Sequence, residues 1–95
     1  MSEFKPLDPL LHSQLRLAVM SLLLSVESAE FTFLKEKTES TAGNLSVQLD
    51  KLEKAKYIKI TKSFKGKRPL TTCKITNTGL KAFENYVENL KNYIS

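Results

Sequence analysis

Two stretches of alternating apolar and polar residues surround a turn in the second half of the chain. In residues 57–64 (YIKITKSF) isoleucines alternate with Lys and Thr, and residues 70–76 (LTTCKIT) alternate again. The intervening residues 65–69 (KGKRP) contain Gly and Pro, the strongest turn formers. Alternation on both sides of such a turn predicts a β-hairpin over residues 57–76. A hairpin that directly follows a helical segment admits few folds for a chain of this length.

The first predicted helix covers residues 13–26. It contains the run LRLAVMSLLLSV, in which nine of twelve residues are apolar, and it begins at Ser13, a good N-cap. A helix with apolar residues on more than one face is buried on all sides. One small domain rarely covers such a helix, so we infer a partner surface, most simply a second copy of the chain. Residues 1–12 are expected to form an arm or loop, because two prolines oppose helix there.

Residues 33–55 contain two further predicted helices. Residues 31–33 form a short strand or lead directly into the first of them, residues 33–39. The second covers residues 41–55, where three leucines spaced i, i+4 and i+7 mark one inward stripe: Leu45, Leu49 and Leu52. Two short helices joined by a tight turn form a helix-turn-helix unit.

The last predicted helix covers residues 77–94, and its apolar residues are spaced by three, four, three and four positions. That spacing is a narrow heptad seam of the kind that meets another helix. We therefore expect a homodimer whose interface combines this seam with two leucines of the first helix. The expected interface residues are Leu17, Leu24, Leu80, Phe83, Val87, Leu90 and Ile94.

Positive charge is concentrated in residues 51–74. This segment contains nine of the fifteen Lys and Arg residues and one acid, Glu53, so it carries +8 while the whole chain carries +5. A polyanionic partner is one reason to concentrate charge in this way. The alternative is a solvated strand face, because edge strands use Lys to block aggregation.

Composition excludes several classes of protein. Ninety-five residues make one domain, and a single cysteine leaves no disulfide or cysteine-cluster metal site. Cys73 is expected in the core and the single histidine, His12, in a packing or capping role, so we predict no metal, no cofactor and no enzyme. No window resembles a membrane span or signal peptide. We therefore expect no membrane association and a reducing, cytoplasmic location.

Three stretches carry a family resemblance: HSQLRLAVMSLLL, GNLSVQLDKLEKAKYI and FKGKRPLTTCKITNTGLKAF. Together they resemble winged-helix transcriptional regulators of bacteria and archaea, most closely the small MarR-like or ArsR-like proteins, over about residues 10–93. The resemblance implies one winged helix-turn-helix domain, mainly α with a small β-hairpin (α+β). It also implies sequence-specific binding of double-stranded DNA as a homodimer, with residues 41–55 in the major groove. Lys56 stands where the family usually has Gly, at a position that often needs a left-handed backbone. Either Lys adopts that backbone at a cost of roughly 1 kcal/mol, or the helix ends differently.

Residues 41–55, which correspond to the recognition helix of such regulators, and the hairpin over residues 57–76, which corresponds to their wing, supply the candidate DNA contacts. At 100° per residue, the side of the helix opposite the leucine stripe holds residues that suit base edges and phosphates. Wing residues 64–69 suit the backbone or the minor groove. The candidate residues are Ser40, Thr41, Asn44, Val47, Gln48, Lys51, Lys65, Lys67 and Arg68. The plainer interpretation is that the helix positions are solvated polar side chains and the wing a solvated turn.

Two functions from different classes fit this pattern. The first is a dimeric DNA-binding regulator, expected to be a repressor. The second is a winged helix used as a protein–protein interaction module, whose positive charge meets an acidic partner. The basic wing, together with Asn44 and Gln48, favours the first. The sequence leaves open whether a small-molecule effector exists.

Overall fold

The computed structural model describes residues 4–94. Its elements are α1 (Gln14–Leu24), β1 (Ala29–Glu30), α2 (Phe31–Thr38), α3 (Ala42–Lys54), β2 (Ile58–Lys65), β3 (Arg68–Ile75) and α4 (Asn77–Ile94). The strands form one antiparallel sheet in the order β1-β3-β2. The predicted α+β winged-helix fold is confirmed.

The wing is a regular hairpin in which β2 and β3 pair over all eight residues of each strand, from Ile58 opposite Ile75 to Lys65 opposite Arg68. Two residues close it, and Gly66 adopts a φ of 66°, which glycine reaches without a steric cost. The third strand is Ala29–Glu30, which pairs with β3, and α2 begins at Phe31. Of the two alternatives for residues 31–33, the helical one is therefore correct.

The core lies where α1, α3 and the sheet meet. All three leucines of the predicted inward stripe of α3 are buried, as expected from their spacing. Cys73 is buried beside them, and burial, with a smaller effect of the Glu53 charge, raises the pKa of its thiol to about 11. The fully or almost fully buried apolar side chains are Leu11, Val19, Met20, Leu23, Ala29, Leu34, Leu45, Leu49, Leu52, Ile58, Cys73 and Tyr86.

The segment before α1 is not a free arm. Leu11 is completely buried, and Asp8 Oδ2 accepts a 2.5 Å hydrogen bond from the hydroxyl of Tyr57. Burial, more than this hydrogen bond, raises the pKa of Tyr57 to about 12. Closer to the N-terminus, the carbonyl of Lys5 accepts a 2.6 Å hydrogen bond from the hydroxyl of Tyr93 on α4. With Leu7 and Leu10 packed beside Leu11, this loop covers part of the domain's own apolar surface.

That cover changes the interpretation of α1. Val19, Met20 and Leu23 are buried, Leu17 is half-buried against the core, and Leu24 is exposed. The chain itself supplies most of the burial that the apolar composition of α1 requires. Of this helix, Leu24 is the residue that leaves the most apolar surface for a partner.

The buried stripe of α4 differs from the predicted seam. Gly79 and Tyr86 are its buried residues, and the hydroxyl of Tyr86 lies 3.0 Å from Nδ1 of His12. Three seam residues are half-buried against the domain's own core: Phe83, Val87 and Leu90. The other two, Leu80 and Ile94, are exposed, and Ile94 is 76% exposed. The part of the seam that is open to a second copy is therefore at its two ends.

Two helices end in left-handed residues that are not glycine. Lys56 after α3 has a φ of 65° and Glu39 after α2 a φ of 52°. After α3, the N–H of Tyr57 donates to the carbonyl of Leu52 and that of Lys56 to the carbonyl of Glu53, at 3.0 and 2.8 Å. These two bonds form a Schellman motif. Of the two alternatives for Lys56, the left-handed backbone is therefore the one observed, and a residue with a β-carbon adopts it at a steric cost.

Candidate nucleic-acid interface

The N-terminus of α3 has free hydrogen-bond donors and no acidic residue, which suits an anion. The hydroxyl oxygen of Thr41 accepts a 3.1 Å hydrogen bond from the N–H of Asn44, so the hydroxyl hydrogen remains free to donate outward. The first turn of α3 has no acidic residue to neutralise the positive end of the helix dipole. Ser40 precedes the helix and is half-buried, with its Oγ 2.9 Å from Oγ1 of Thr38. It therefore lies at the entrance to α3 and not on its outward face.

The outward side of α3 carries the predicted base-reading residues. Asn44, Val47 and Lys51 are exposed, and the side chain of Val47 is 51% exposed although it is apolar. Gln48 is half-buried at the edge of this side. The same helix buries its leucines on the opposite side, so α3 is fixed to the domain while these four residues remain accessible from outside.

A chain of hydrogen bonds connects α1 to this surface. Arg16 donates from Nε to the carbonyl of Leu10 at 2.6 Å and from Nη1 to Oε1 of Gln48. Nε2 of Gln48 then donates to Oδ1 of Asn44 at 3.0 Å. The apolar neighbours of Arg16 in the sequence favour a structural role for it, but they do not predict its contact with these candidate DNA-binding residues.

The tip of the wing presents three cations. Lys65 and Arg68 lie directly opposite each other at the ends of β2 and β3, and Lys67 lies between them in the two-residue turn. All three are exposed. Like charges in directly opposed positions repel, so this arrangement is unfavourable until an anion binds.

The wing also carries an exposed aromatic residue that the charge pattern does not single out. Phe64 is 72% exposed and lies opposite Pro69, one pair inward from the tip. Because successive side chains in a strand point to opposite faces, these two apolar residues lie on the face of the hairpin opposite Lys65 and Arg68. The sequence could have indicated this residue, because an aromatic side chain directly before a KGKR turn is unusual in a solvated loop.

The positive charge of residues 51–74 is not neutralised inside the domain. Among the described residues 4–94, Glu88 and Lys91 of α4 form an ion pair with an N–O distance of 3.5 Å, and both lie outside this segment. Lys59 and Lys74 form a second like-charged pair directly opposite each other in the hairpin. Glu53, the segment's one acid, uses its Oε2 to accept a 3.1 Å hydrogen bond from the N–H of Ile60. This surface is therefore electrostatically suited to a polyanion.

The described part of the chain contains neither a metal site nor a membrane-spanning helix. Residues 4–94 hold no group of three or more His, Cys, Asp or Glu side chains placed to bind a metal ion. No helix there is both long and apolar enough to cross a bilayer. A groove of about 300 Å³ separates α3 from the sheet, with Asp50 on one side and Lys62 on the other.

Comparison with known proteins agrees with this geometry. The family model for the winged helix DNA-binding domain matches residues 15–94, and the chain belongs to that family. It is a DNA-binding protein of the kind found among transcriptional regulators. An uncharacterized protein of Methanocaldococcus jannaschii is 42% identical over 76 residues, which are 80% of this chain and 83% of that protein.

Solved structures give the same class. The transcriptional regulator homologue of Pyrococcus horikoshii OT3 superposes with a TM-score of 0.83 at 29% identity, covering 90% of this chain and 84% of that one. A MarR family transcriptional regulator from Silicibacter pomeroyi has a TM-score of 0.69 at 15% identity, covering 86% of this chain and 54% of its own. The second likeness concerns the fold alone. The predicted resemblance to winged-helix transcriptional regulators is confirmed.

Proposed function

We propose that this protein is a sequence-specific transcriptional repressor that binds double-stranded DNA as a homodimer in the cytoplasm. Its recognition helix, residues 41–55, enters the major groove, and wing residues 64–69 contact the backbone or the minor groove. The observation that carries the proposal is the coexistence of unpaired cations on the wing with exposed hydrogen-bonding side chains on α3. The first supplies affinity for any duplex, and the second can distinguish base pairs.

The recognition helix suits the major groove in both charge and chemistry. Its uncapped backbone N–H groups and the free hydroxyl hydrogen of Thr41 are suited to phosphate at the groove edge. Deeper along the helix, Val47 offers an apolar surface to a thymine methyl group, and Lys51 can reach guanine or a phosphate. Asn44 and Gln48 complete the set with amide groups.

The wing suits the adjacent phosphate backbone. Each wing cation that neutralises a phosphate releases a condensed counterion from the DNA, which makes binding depend strongly on salt. The wing supplies three such cations, Lys65, Lys67 and Arg68. The exposed ring of Phe64 can pack against a deoxyribose or enter an opened base step. Salt does not weaken this contact, because an uncharged ring displaces no counterion.

Dimerisation supplies the second half-site. The exposed ends of the α4 seam, Leu80 and Ile94, and the exposed Leu24 of α1 are the apolar residues that a second copy would cover. The other members of the same proposed interface are half-buried: Leu17, Phe83, Val87 and Leu90. A two-fold dimer reads an inverted repeat whose half-sites lie about 34–36 Å apart. A small domain whose helix and wing both occupy DNA regulates most simply by covering the site, which is why we propose repression.

The decisive experiment is selection of bound duplexes from a random pool, at low and at physiological ionic strength. We expect enrichment of an inverted repeat with half-sites one helical turn apart. A variant with Asn44→Ala and Gln48→Ala should lose the enrichment while retaining salt-dependent binding to unselected duplex. If no duplex binds even at low ionic strength, the proposal is wrong and the protein-interaction module becomes the better function.

A further inference from the structure

We propose that Arg16 is a positioning residue that fixes which atoms of Gln48 and Asn44 face the base pairs, and so selects guanine over adenine. This inference rests on the proposed function and deepens it. It starts from the chain of hydrogen bonds that runs from the carbonyl of Leu10 through Arg16 and Gln48 to Asn44.

The direction of that chain follows from the chemistry of its first member. A guanidinium group has five N–H donors and no acceptor. The atom of Gln48 that faces Arg16 must therefore be the oxygen, and its NH₂ group must point the other way. The NH₂ group faces the amide of Asn44, so the Asn44 atom that meets it must be Oδ1. Each amide orientation is thus dictated by the one before it.

Arg16 is itself held by a second contact. Its Nε donates to the carbonyl of Leu10 at 2.6 Å, and the side chain is half-buried between the loop before α1 and α3. The turn that contains Leu10 is fixed by the backbone bond from the N–H of His12 to the carbonyl of Asp8 at 2.9 Å. The guanidinium is therefore preorganised, and Gln48 does not need to choose its orientation when DNA arrives.

The result is a surface of donors. Nδ2 of Asn44 keeps both hydrogens for an outside partner, and Nε2 of Gln48 keeps one, while both amide oxygens already accept hydrogen bonds within the protein. In the major groove guanine presents two acceptors, N7 and O6, whereas adenine presents an acceptor and a donor, N7 and N6. The N6 donor of adenine would meet further donors. Asn and Gln side chains that are free to turn pair well with adenine, but these two are not free to turn.

The alternative is a purely structural role, in which Arg16 only holds α1 against α3. Loss of such a structural contact would change stability and overall affinity without changing the ranking of bases at any position. The base ranking is therefore the measurement that separates the two roles.

The test is duplex selection with the full chain and a small set of variants, read as the ratio of guanine to adenine at each position. Asn44→Ala identifies the position that Asn44 reads, because selectivity is lost there. At that position the unaltered protein should prefer guanine by about tenfold, the order of a good specific contact. Arg16→Met removes the donors but keeps the apolar stem, and should reduce the ratio to near one. Arg16→Lys keeps a donor-only group and should restore the preference for guanine.

Gln48→Glu provides the sharpest variant. A carboxylate accepts from Arg16 and can also accept from Asn44, but it cannot donate to Asn44. Asn44 should then turn over and present Oδ1, so the preference should move to bases with a donor edge, adenine or cytosine. The added negative charge will weaken binding to every duplex, so this selection is run at low ionic strength.

Thermal unfolding and binding to an unselected duplex are measured for each variant as controls for folding and backbone contact. Identical base ranking in Arg16→Met and the unaltered protein would overturn the inference, as would a preference for adenine at the Asn44 position in the unaltered protein. Failure of the unaltered protein to bind any duplex would instead overturn the proposed function.

Discussion

The backbone of Tyr57 occupies the space where Gly79 would carry a side chain. A β-carbon on Gly79 would overlap the carbonyl oxygen of Tyr57, which also accepts a 3.0 Å hydrogen bond from the N–H of Thr76. Thr76 Oγ1 in turn donates to the carbonyl of Lys56 at 2.6 Å and accepts from the N–H of Gly79 at 3.0 Å. The start of α4 is therefore hydrogen-bonded directly to the turn that follows α3.

Gly79→Ala should destabilise the protein. The added methyl group meets backbone, which cannot move aside as a flexible side chain would, so we expect the free energy of unfolding to fall by roughly 1–3 kcal/mol. Gly43→Ala is the matched control, because nothing lies within 4 Å of its β-carbon and alanine favours helix. Chemical denaturation of both variants checks this. Equal stabilities would show that α4 can separate from Tyr57 at little cost.

Lys56→Gly should stabilise the protein by about 1 kcal/mol, the cost of a left-handed backbone at a residue with a β-carbon. The Schellman hydrogen bonds and the hydrogen bond from Thr76 use backbone atoms of Lys56, so they survive the change. Lys51→Gly, inside α3, removes the same charge and should cost about 1 kcal/mol. If both glycines destabilise the protein in urea denaturation, the left-handed cap carries no relievable strain.

Replacing Lys65, Lys67 and Arg68 by Ala should weaken binding to all duplexes alike and flatten the dependence of affinity on salt. Removing one bond between a cation and a phosphate reduces the slope of log K against log salt by about 0.9. The control removes the same charge outside residues 51–74, by changing Lys5, Lys81 and Lys91 to Ala. Titrations at several salt concentrations measure both slopes. A wing variant with an unchanged slope would refute binding of phosphate by the wing.

Leu80→Glu combined with Ile94→Glu should produce monomers with weak affinity for DNA. Both side chains are exposed, so the charges do not enter the core of the domain, as they would at the half-buried Phe83 or Leu90. Asn85→Glu with Asn92→Glu adds the same charge on another side of α4 and should leave the dimer intact. Sedimentation velocity measures the assembly state. A double variant that still sediments as a dimer would exclude these ends of α4 from the interface.

Stability should decline in alkaline solution in two overlapping steps. The folded pKa values of Cys73 and Tyr57, about 11 and about 12, lie above their ordinary values of 9.0 and 10.0. The folded protein holds both protons more tightly than the unfolded chain does, so their contribution is complete below about pH 9 and declines as pH rises towards about 12. Cys73→Ala should remove the part of the decline between about pH 9 and 11, and Tyr57→Phe the part between about pH 10 and 12. Denaturation at a series of pH values checks both, and a decline unchanged in both variants would assign it to other groups.

The elements with strong periodicity were predictable, and those fixed by tertiary contact were not. The leucines of α3 and the alternating residues of the hairpin predict boundaries within a residue or two of those observed. Leu11 could not be assigned to the core, because a loop with prolines has no period from which burial can be read. Tyr86 was missed because its hydroxyl group gives it a mixed character, and the apolar spacing around it directed attention to Leu80 and Ile94.

The candidate DNA-binding surface was likewise predictable only in part. Periodicity predicted that Ser40, Asn44, Val47 and Lys51 face outward. The last three are exposed, whereas Ser40 lies before the start of α3 and is half-buried. It could not predict that Arg16, thirty-two residues before Gln48, would bond to it, since that hydrogen bond exists only after α1 packs on α3. The family resemblance left open whether Lys56 adopts a left-handed backbone or the helix ends differently, and the left-handed backbone is the one observed.

The opposed cations of the hairpin give salt two contrary actions. Lys59 faces Lys74 and Lys65 faces Arg68 across the strands, so the ligand-free wing contains repulsion that dissolved ions screen. A rise in ionic strength should therefore make the isolated protein harder to melt while it loosens the protein's hold on DNA. Buffers that best preserve the purified material are then the ones in which it would look least active.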